Sequence, residues 1–219
     1  MAVNRGQAGA GNWALAGTVI FIAVSFAALF RLGRIGPLDF WWWMGLNVLL
    51  AAGLGFAADK GYAARVGADI RTHFVRKAGL GLTSAAILYT LFAAGRMAAL
   101  KFFPFAASGI ASVYGLRSGA GTSRLILLLG LFIGPGEELV WRGFLQENLG
   151  WKIGRTWGFV LTALVYMLVH VGSGNIMLVL AAGVCGVFWG MLYRIFRSPV
   201  LNAVSHAAWA VTIFVIRPL

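Results

Sequence analysis

Acidic residues are scarce in this chain: its 219 residues hold six aspartates and glutamates against eighteen lysines and arginines, a formal charge of +12. The one cysteine, Cys185, excludes an internal disulfide and a multi-thiolate metal site, and within an apolar run it reads as a small packing residue. Strand-type alternation with turn signals is missing, which removes a membrane β-barrel. No internal repeat and no domain boundary is visible, so a transporter built from inverted halves has little support. The HExxH helix of many zinc hydrolases is absent. So is a GxGD element, and Asp39, Asp59 and Asp69 lie at helix ends or in loops, so aspartyl intramembrane proteolysis is set aside. Ala106-Ala107-Ser108-Gly109 lacks the first glycine of a serine-type GxSG element.

What the chain has in quantity is apolar surface. It is 60% hydrophobic and 11% charged with nine tryptophans, at a mean hydropathy of +0.85, outside the range of soluble domains. A polytopic membrane protein must close its backbone hydrogen bonds in helices, so the expected fold is all-α, a bundle of about seven spanning helices with a polar site inside. The runs lie at about 13–30, 38–57, 79–99, 125–149, 156–171, 176–195 and 200–216. Arg31 and Arg34 follow the first run where a signal peptide would offer a cleavage site, so it is read as a retained helix. Residues 1–12 read as a disordered tail, 13–122 as N-terminal membrane helices with charged connections, and 123–219 as the core helices, within a single membrane domain.

The basic residues sit mainly in short connections, above all in the charged segment 59–77, read as a surface helix or loop. Positive-inside topology and anionic lipid headgroups explain that pattern and make nucleic acid an unneeded partner. More basic residues fall on the N-terminal side of a seven-span arrangement, so the N-terminus is expected in the cytoplasm, with the protein in a bacterial inner membrane. Tryptophans, together with Phe188 and Trp189, read as packing residues or interface anchors.

The anomaly is a pair of adjacent glutamates in the fourth run, Gly134-Pro135-Gly136-Glu137-Glu138-Leu139-Val140-Trp141-Arg142. An ionisable group at bilayer depth costs about 2.5–3.5 kcal/mol on insertion scales, so it faces a bundle interior and marks a site or pathway. Residues four apart share a helix face, which pairs Glu138 with Arg142 and turns Glu137 about 100° away, free to accept a proton. The alternative is a Glu–Arg network that only pins helices together. Gly134 and Gly136 around Pro135 either open backbone near a substrate or allow close packing.

Two of the three histidines lie in apolar runs, His170 and His206, whereas His73 sits in the charged connection. A glutamate and two imidazoles suggest water activation, directly or at a metal. Glu137, His170 and His206 are the residues that could hold zinc if any metal is used.

Glu137-Glu138-Leu139-Val140-Trp141-Arg142 resembles the EExxxR motif of the CPBP family, glutamic-type intramembrane proteases that include CAAX prenyl proteases and bacteriocin-processing or Abi proteins. His170 is similar to the histidine of its FxxxH motif, with Tyr166 where phenylalanine is usual. His206 fits the third motif, with Ala210 where asparagine is usual. The resemblance covers about residues 123–216. It implies an intramembrane endopeptidase acting on a membrane-tethered protein or peptide. Glu137 and His170 would activate water, His206 would bind the water or the oxyanion, and Glu138 and Arg142 would form the scaffold. Asn202, one turn before His206, could supply the missing amide or cap its helix. The other readings are a proton-coupled transporter using Glu137, His170 and His206 as its path, and a non-catalytic immunity or scaffold protein.

Overall fold

A computed structural model describes residues 9–219. Six of its helices are long and apolar enough to cross a membrane: α1 (Asn12–Leu32), α2 (Phe40–Ala58), α4 (Phe74–Phe102), α9 with its closing turn (Arg155–Ser173), α10 (Ile176–Phe196) and α11 with its extension (Pro199–Ile216). A seventh helical stretch, from Thr122 to Ile153, carries the glutamate pair. Its charges, Arg124, Glu137, Glu138, Arg142, Glu147 and Lys152, keep it out of the apolar set, although it lies at the centre of the bundle. The bundle is all-α apart from a two-residue antiparallel pairing of β1 (Arg34–Ile35) with β2 (Leu38–Asp39). Gly33 and Gly36, both at positive φ, make the bends of that connection.

Apolar side chains face outward as well as inward, as a lipid solvent requires. α2 shows this most plainly: Trp43, Met44, Val48 and Ala51 are buried, while Leu46, Leu49, Leu50 and Leu54 are exposed. Asp39 caps α2 by accepting from the N–H groups of Trp41 and Trp42. At 29 residues α4 is about 44 Å long, more than the hydrocarbon core needs. It crosses α11 at Gly81, where a Cβ would stand 2.9 Å from the Leu201 carbonyl.

The charged connection forms α3 (Tyr62–Arg71), tied down at both ends. Asp59 pairs with Arg65 at 2.5 Å, and Asp69 accepts from Lys77, from Ser198 Oγ at 2.8 Å and from Val200 N at 3.0 Å, which fastens α3 to the start of α11. A short α5 (Ala106–Gly115) lies in the following connection. Of the tail expected over 1–12, residues 1–8 lie outside the described residues. Ala10 is fully buried and donates its N–H to Asn148 Oδ1 at 2.8 Å, and Asn12 already opens α1.

Candidate active site

The site is built on a helix wound unevenly. From Thr122 it runs as α6 (Thr122–Leu127), a wide π-type segment (Leu128–Ile133), α7 (Gly134–Glu138), a second wide segment (Leu139–Gln146) and α8 (Glu147–Ile153). The Gly134 N–H reaches back five residues to the Leu129 carbonyl. Pro135 favours such a turn, because it has no N–H to offer Leu131. The glycines beside it serve close packing. A Cβ on Gly134 would lie 3.0 Å from Ala207 N of α11, and one on Gly136 would lie 2.4 Å from Val48 Cγ1 of α2. α7 is thereby clasped between α2 and α11.

Glu138, with no exposed surface, accepts from three side chains. Arg142 Nη1 donates to its Oε1 at 2.8 Å and His206 Nδ1 to the same oxygen at 2.8 Å, while Asn202 Nδ2 donates to Oε2 at 3.1 Å. The expected pairing with Arg142 across one helical turn is present. Arg142 Nη2 points to the carbonyls of Cys185 and Gly186 on α10, and Asn202 Nδ2 also donates to the Trp189 carbonyl at 2.7 Å. Breaking a buried ion pair by removing one partner costs about 3–5 kcal/mol, so this carboxylate is a major fastening of three helices. Asn202 is wholly buried in α11 with its amide nitrogen committed to Glu138 and Trp189 while its Oδ1 has no protein partner, and Ser198 is the residue that caps the helix.

Glu137 is held differently. Its Oε2 accepts one hydrogen bond, from the Tyr166 hydroxyl at 2.7 Å. Tyr166 also organises the other half of this side of the site, since His170 Nδ1 lies 2.8 Å from the Tyr166 backbone carbonyl. A carbonyl can only accept, so Nδ1 carries the proton and Nε2 presents a lone pair in neutral His170. The rings of Phe26, Phe30 and Tyr166 surround that imidazole with centroids 5.2–5.8 Å away. On the opposite side His206 stacks on Trp189 at 3.7 Å. The guanidinium of Arg142 lies over the Tyr166 ring at 4.8 Å and the Trp189 ring at 5.6 Å, joining the two halves through cation–π contacts.

Burial separates fastened groups from available ones. Glu137 keeps 3% of its surface, His170 7% and His206 6%. Among the described residues Glu137 Oε1, His170 Nε2 and His206 Nε2 have no protein hydrogen-bond partner, and none of the three is a sealed orphan atom. The arrangement thus offers a carboxylate oxygen and two ring nitrogens to a visiting molecule. Zinc asks for three protein donors about 2 Å from a single point. Among the described residues no three His, Cys, Asp or Glu side chains are grouped in that way. These side chains do not fit a zinc site, and no step below runs through one.

Three residues in or against the cluster were not singled out as site residues from sequence. Tyr166 had a visible signal, a hydroxyl one turn before His170 on the same face. Trp189 reads as a packing or anchor tryptophan, and only the fold reveals that its packing partner is His206. A third, Tyr62 of α3, donates from its hydroxyl to the Leu139 carbonyl at 2.6 Å, directly after Glu138. Burial pushes that phenol well above its ordinary range, against the lowering influence of Arg65, so it stays a donor.

Residues 120–212 match the family described as Rce1-like type II CAAX prenyl endopeptidases. The matched segment contains Glu137, Glu138, Arg142, His170, Asn202 and His206 and agrees with the resemblance drawn from the three motifs. No curated protein matches the chain, and neither does any solved structure.

Proposed function

We propose that this integral membrane protein is an endopeptidase that hydrolyses a peptide bond in a membrane-tethered protein or peptide. The observation that carries this reading is the unequal treatment of two adjacent glutamates. Glu138 is sealed and bound by three side chains, whereas Glu137 is held by one oxygen, on the hydroxyl of Tyr166 one turn before His170, and keeps the other free. A merely fastening pair would leave neither carboxylate with an unpartnered oxygen.

In the proposed reaction water attacks the scissile carbonyl carbon. Glu137 Oε1 takes one water proton as general base, and His170 Nε2 accepts a hydrogen bond that orients the same water. The hydroxide oxygen becomes bonded to the carbonyl carbon as the C=O π bond opens, and the former carbonyl oxygen becomes the oxyanion, which accepts from Nε2–H of His206 in its imidazolium form. Glu138 holds the Nδ1 of that imidazole and fixes its orientation. As the C–N bond breaks, Glu137 returns its proton to the leaving amine, and a new carboxyl terminus and a free amine result. Removing a positioned general base costs typically 10²–10⁴-fold in rate.

The test compares protein termini in cells carrying the wild type, Glu137→Gln or Glu138→Gln. A membrane-protein terminus that disappears with Glu137→Gln, while the variant accumulates as folded protein, is the expected result. Unchanged termini together with altered flux driven by a pH gradient would overturn the protease reading in favour of a transporter. Unchanged termini with no change in flux would favour an immunity or scaffold role.

A further inference from the structure

We propose that Tyr166 is a positioning residue for this hydrolysis, its hydroxyl fixing Glu137 by one oxygen so that the other stays turned to the water. The inference rests on Glu137 being the general base. Four observations meet at this residue. Its O–H is 2.7 Å from Glu137 Oε2 and is the only side-chain donor to that carboxylate among the described residues. Its backbone carbonyl holds His170 Nδ1 at 2.8 Å, which sets both the tautomer and the ring plane of the second water-handling group. Its ring packs edge-on against Trp141, with centroids 5.1 Å apart, and under the Arg142 guanidinium at 4.8 Å. It is 4% exposed, so the hydroxyl has little water to turn to.

A glutamate side chain has three rotatable bonds, and without a fixed donor its carboxylate samples several directions. Glu138 is held by three donors, and Glu137 has Tyr166 alone. The bond to a charged acceptor is of the stronger kind, and α9 positions its donor rigidly. The spacing Tyr166-x-x-x-His170 therefore places on one face of α9 a donor for the base and the histidine that works with it. A phenylalanine there would keep the ring, the contact with Arg142 and the carbonyl for His170, and would lose only the hydroxyl.

Tyr166→Phe is thus a single-atom test. Rates are measured in liposomes on an internally quenched peptide carrying the cleavage sequence recovered from the Glu137-dependent terminus. The expected result is a fall of about 10- to 100-fold in kcat, the range for loss of one hydrogen bond to a charged group, with KM unchanged. In the Glu137→Gln background Tyr166→Phe should lower the residual rate no further, because a residue acting through Glu137 has nothing left to act on. 3-Fluorotyrosine at position 166 retains the hydroxyl and should restore kcat to within about threefold of wild type. A Tyr166→Phe enzyme with wild-type kcat overturns the proposal, as does an equal fall in both backgrounds, while Glu137 would remain the base. Full activity in Glu137→Gln would instead remove the base assignment on which the proposal stands.

Discussion

Replacing either glutamate by alanine removes a buried carboxylate from adjacent positions, yet the consequences for folding should differ widely. Glu138→Ala leaves Arg142, 1% exposed, without the anion that neutralises it, and strips acceptors from His206 Nδ1 and Asn202 Nδ2. The broken pair costs about 3–5 kcal/mol. An orphaned donor adds about 1–3 kcal/mol, relieved for Asn202 by its second bond to the Trp189 carbonyl. Glu137→Ala leaves one orphan, the Tyr166 hydroxyl, at about 1–3 kcal/mol. The gap between the variants should therefore be about 4 kcal/mol at the middle of these ranges, roughly a thousandfold in the unfolding equilibrium, and no less than about 1 kcal/mol. The assay is unfolding by increasing mole fraction of sodium dodecyl sulfate in mild detergent micelles, followed by fluorescence of the nine tryptophans. Equal destabilisation by the two substitutions, or a Glu138→Ala protein within about 1 kcal/mol of wild type, would refute the division into a fastening and a reactive carboxylate.

Gly136→Ala should destabilise by about 1–3 kcal/mol through overlap with Val48, and Val48→Ala should recover part of the loss; Gly134→Ala, which meets the backbone of Ala207, should have no such rescue. The same detergent titration reads both. Tyr62→Phe should cost about 1 kcal/mol by removing the hydrogen bond from its hydroxyl to the Leu139 carbonyl. Because burial raises the folded-state pKa of this phenol, the wild-type advantage should be constant below about pH 10 and shrink above it, where the unfolded phenol ionises and the folded one does not. A pH series of paired melts checks the sign. Cys185, 3% exposed, should resist N-ethylmaleimide in the folded protein and react on unfolding, as mass spectrometry would show. Peptide cleavage in liposomes should persist under strong chelation; loss of activity restored by added zinc would contradict the site as described.

The spanning helices were legible because a lipid-facing helix needs length and apolarity, which are properties of composition. The Glu138–Arg142 pair was legible because helical periodicity places residues four apart together, and the same rule put Asn202 beside His206. What they would jointly reach was not visible, because Glu138 lies 64 and 68 residues away from them in the chain. The wide turns flanking α7 escaped detection since hydropathy is blind to winding, although Pro135 marked the place. The position of α3 was equally hidden. Its charges suggested water, yet Asp59 and Asp69 are used inward, on Arg65 and on the start of α11.

The fastening of Glu138 also sets an order of events in biogenesis. As the chain leaves the ribosome, Glu138 and Arg142 enter the membrane together, able to neutralise each other within one turn. The carbonyls of Cys185 and Gly186 that receive Arg142 arrive with α10, and the donors Asn202 and His206 arrive last, with α11. Until then Glu138 has one side-chain partner, and Gly134 lacks the close contact that Ala207 of α11 supplies. A chain stopped before residue 202 would thus present membrane quality control with a half-satisfied charge and an unfilled helix face. The cluster around Glu138 is therefore complete only once α11 has been made and inserted.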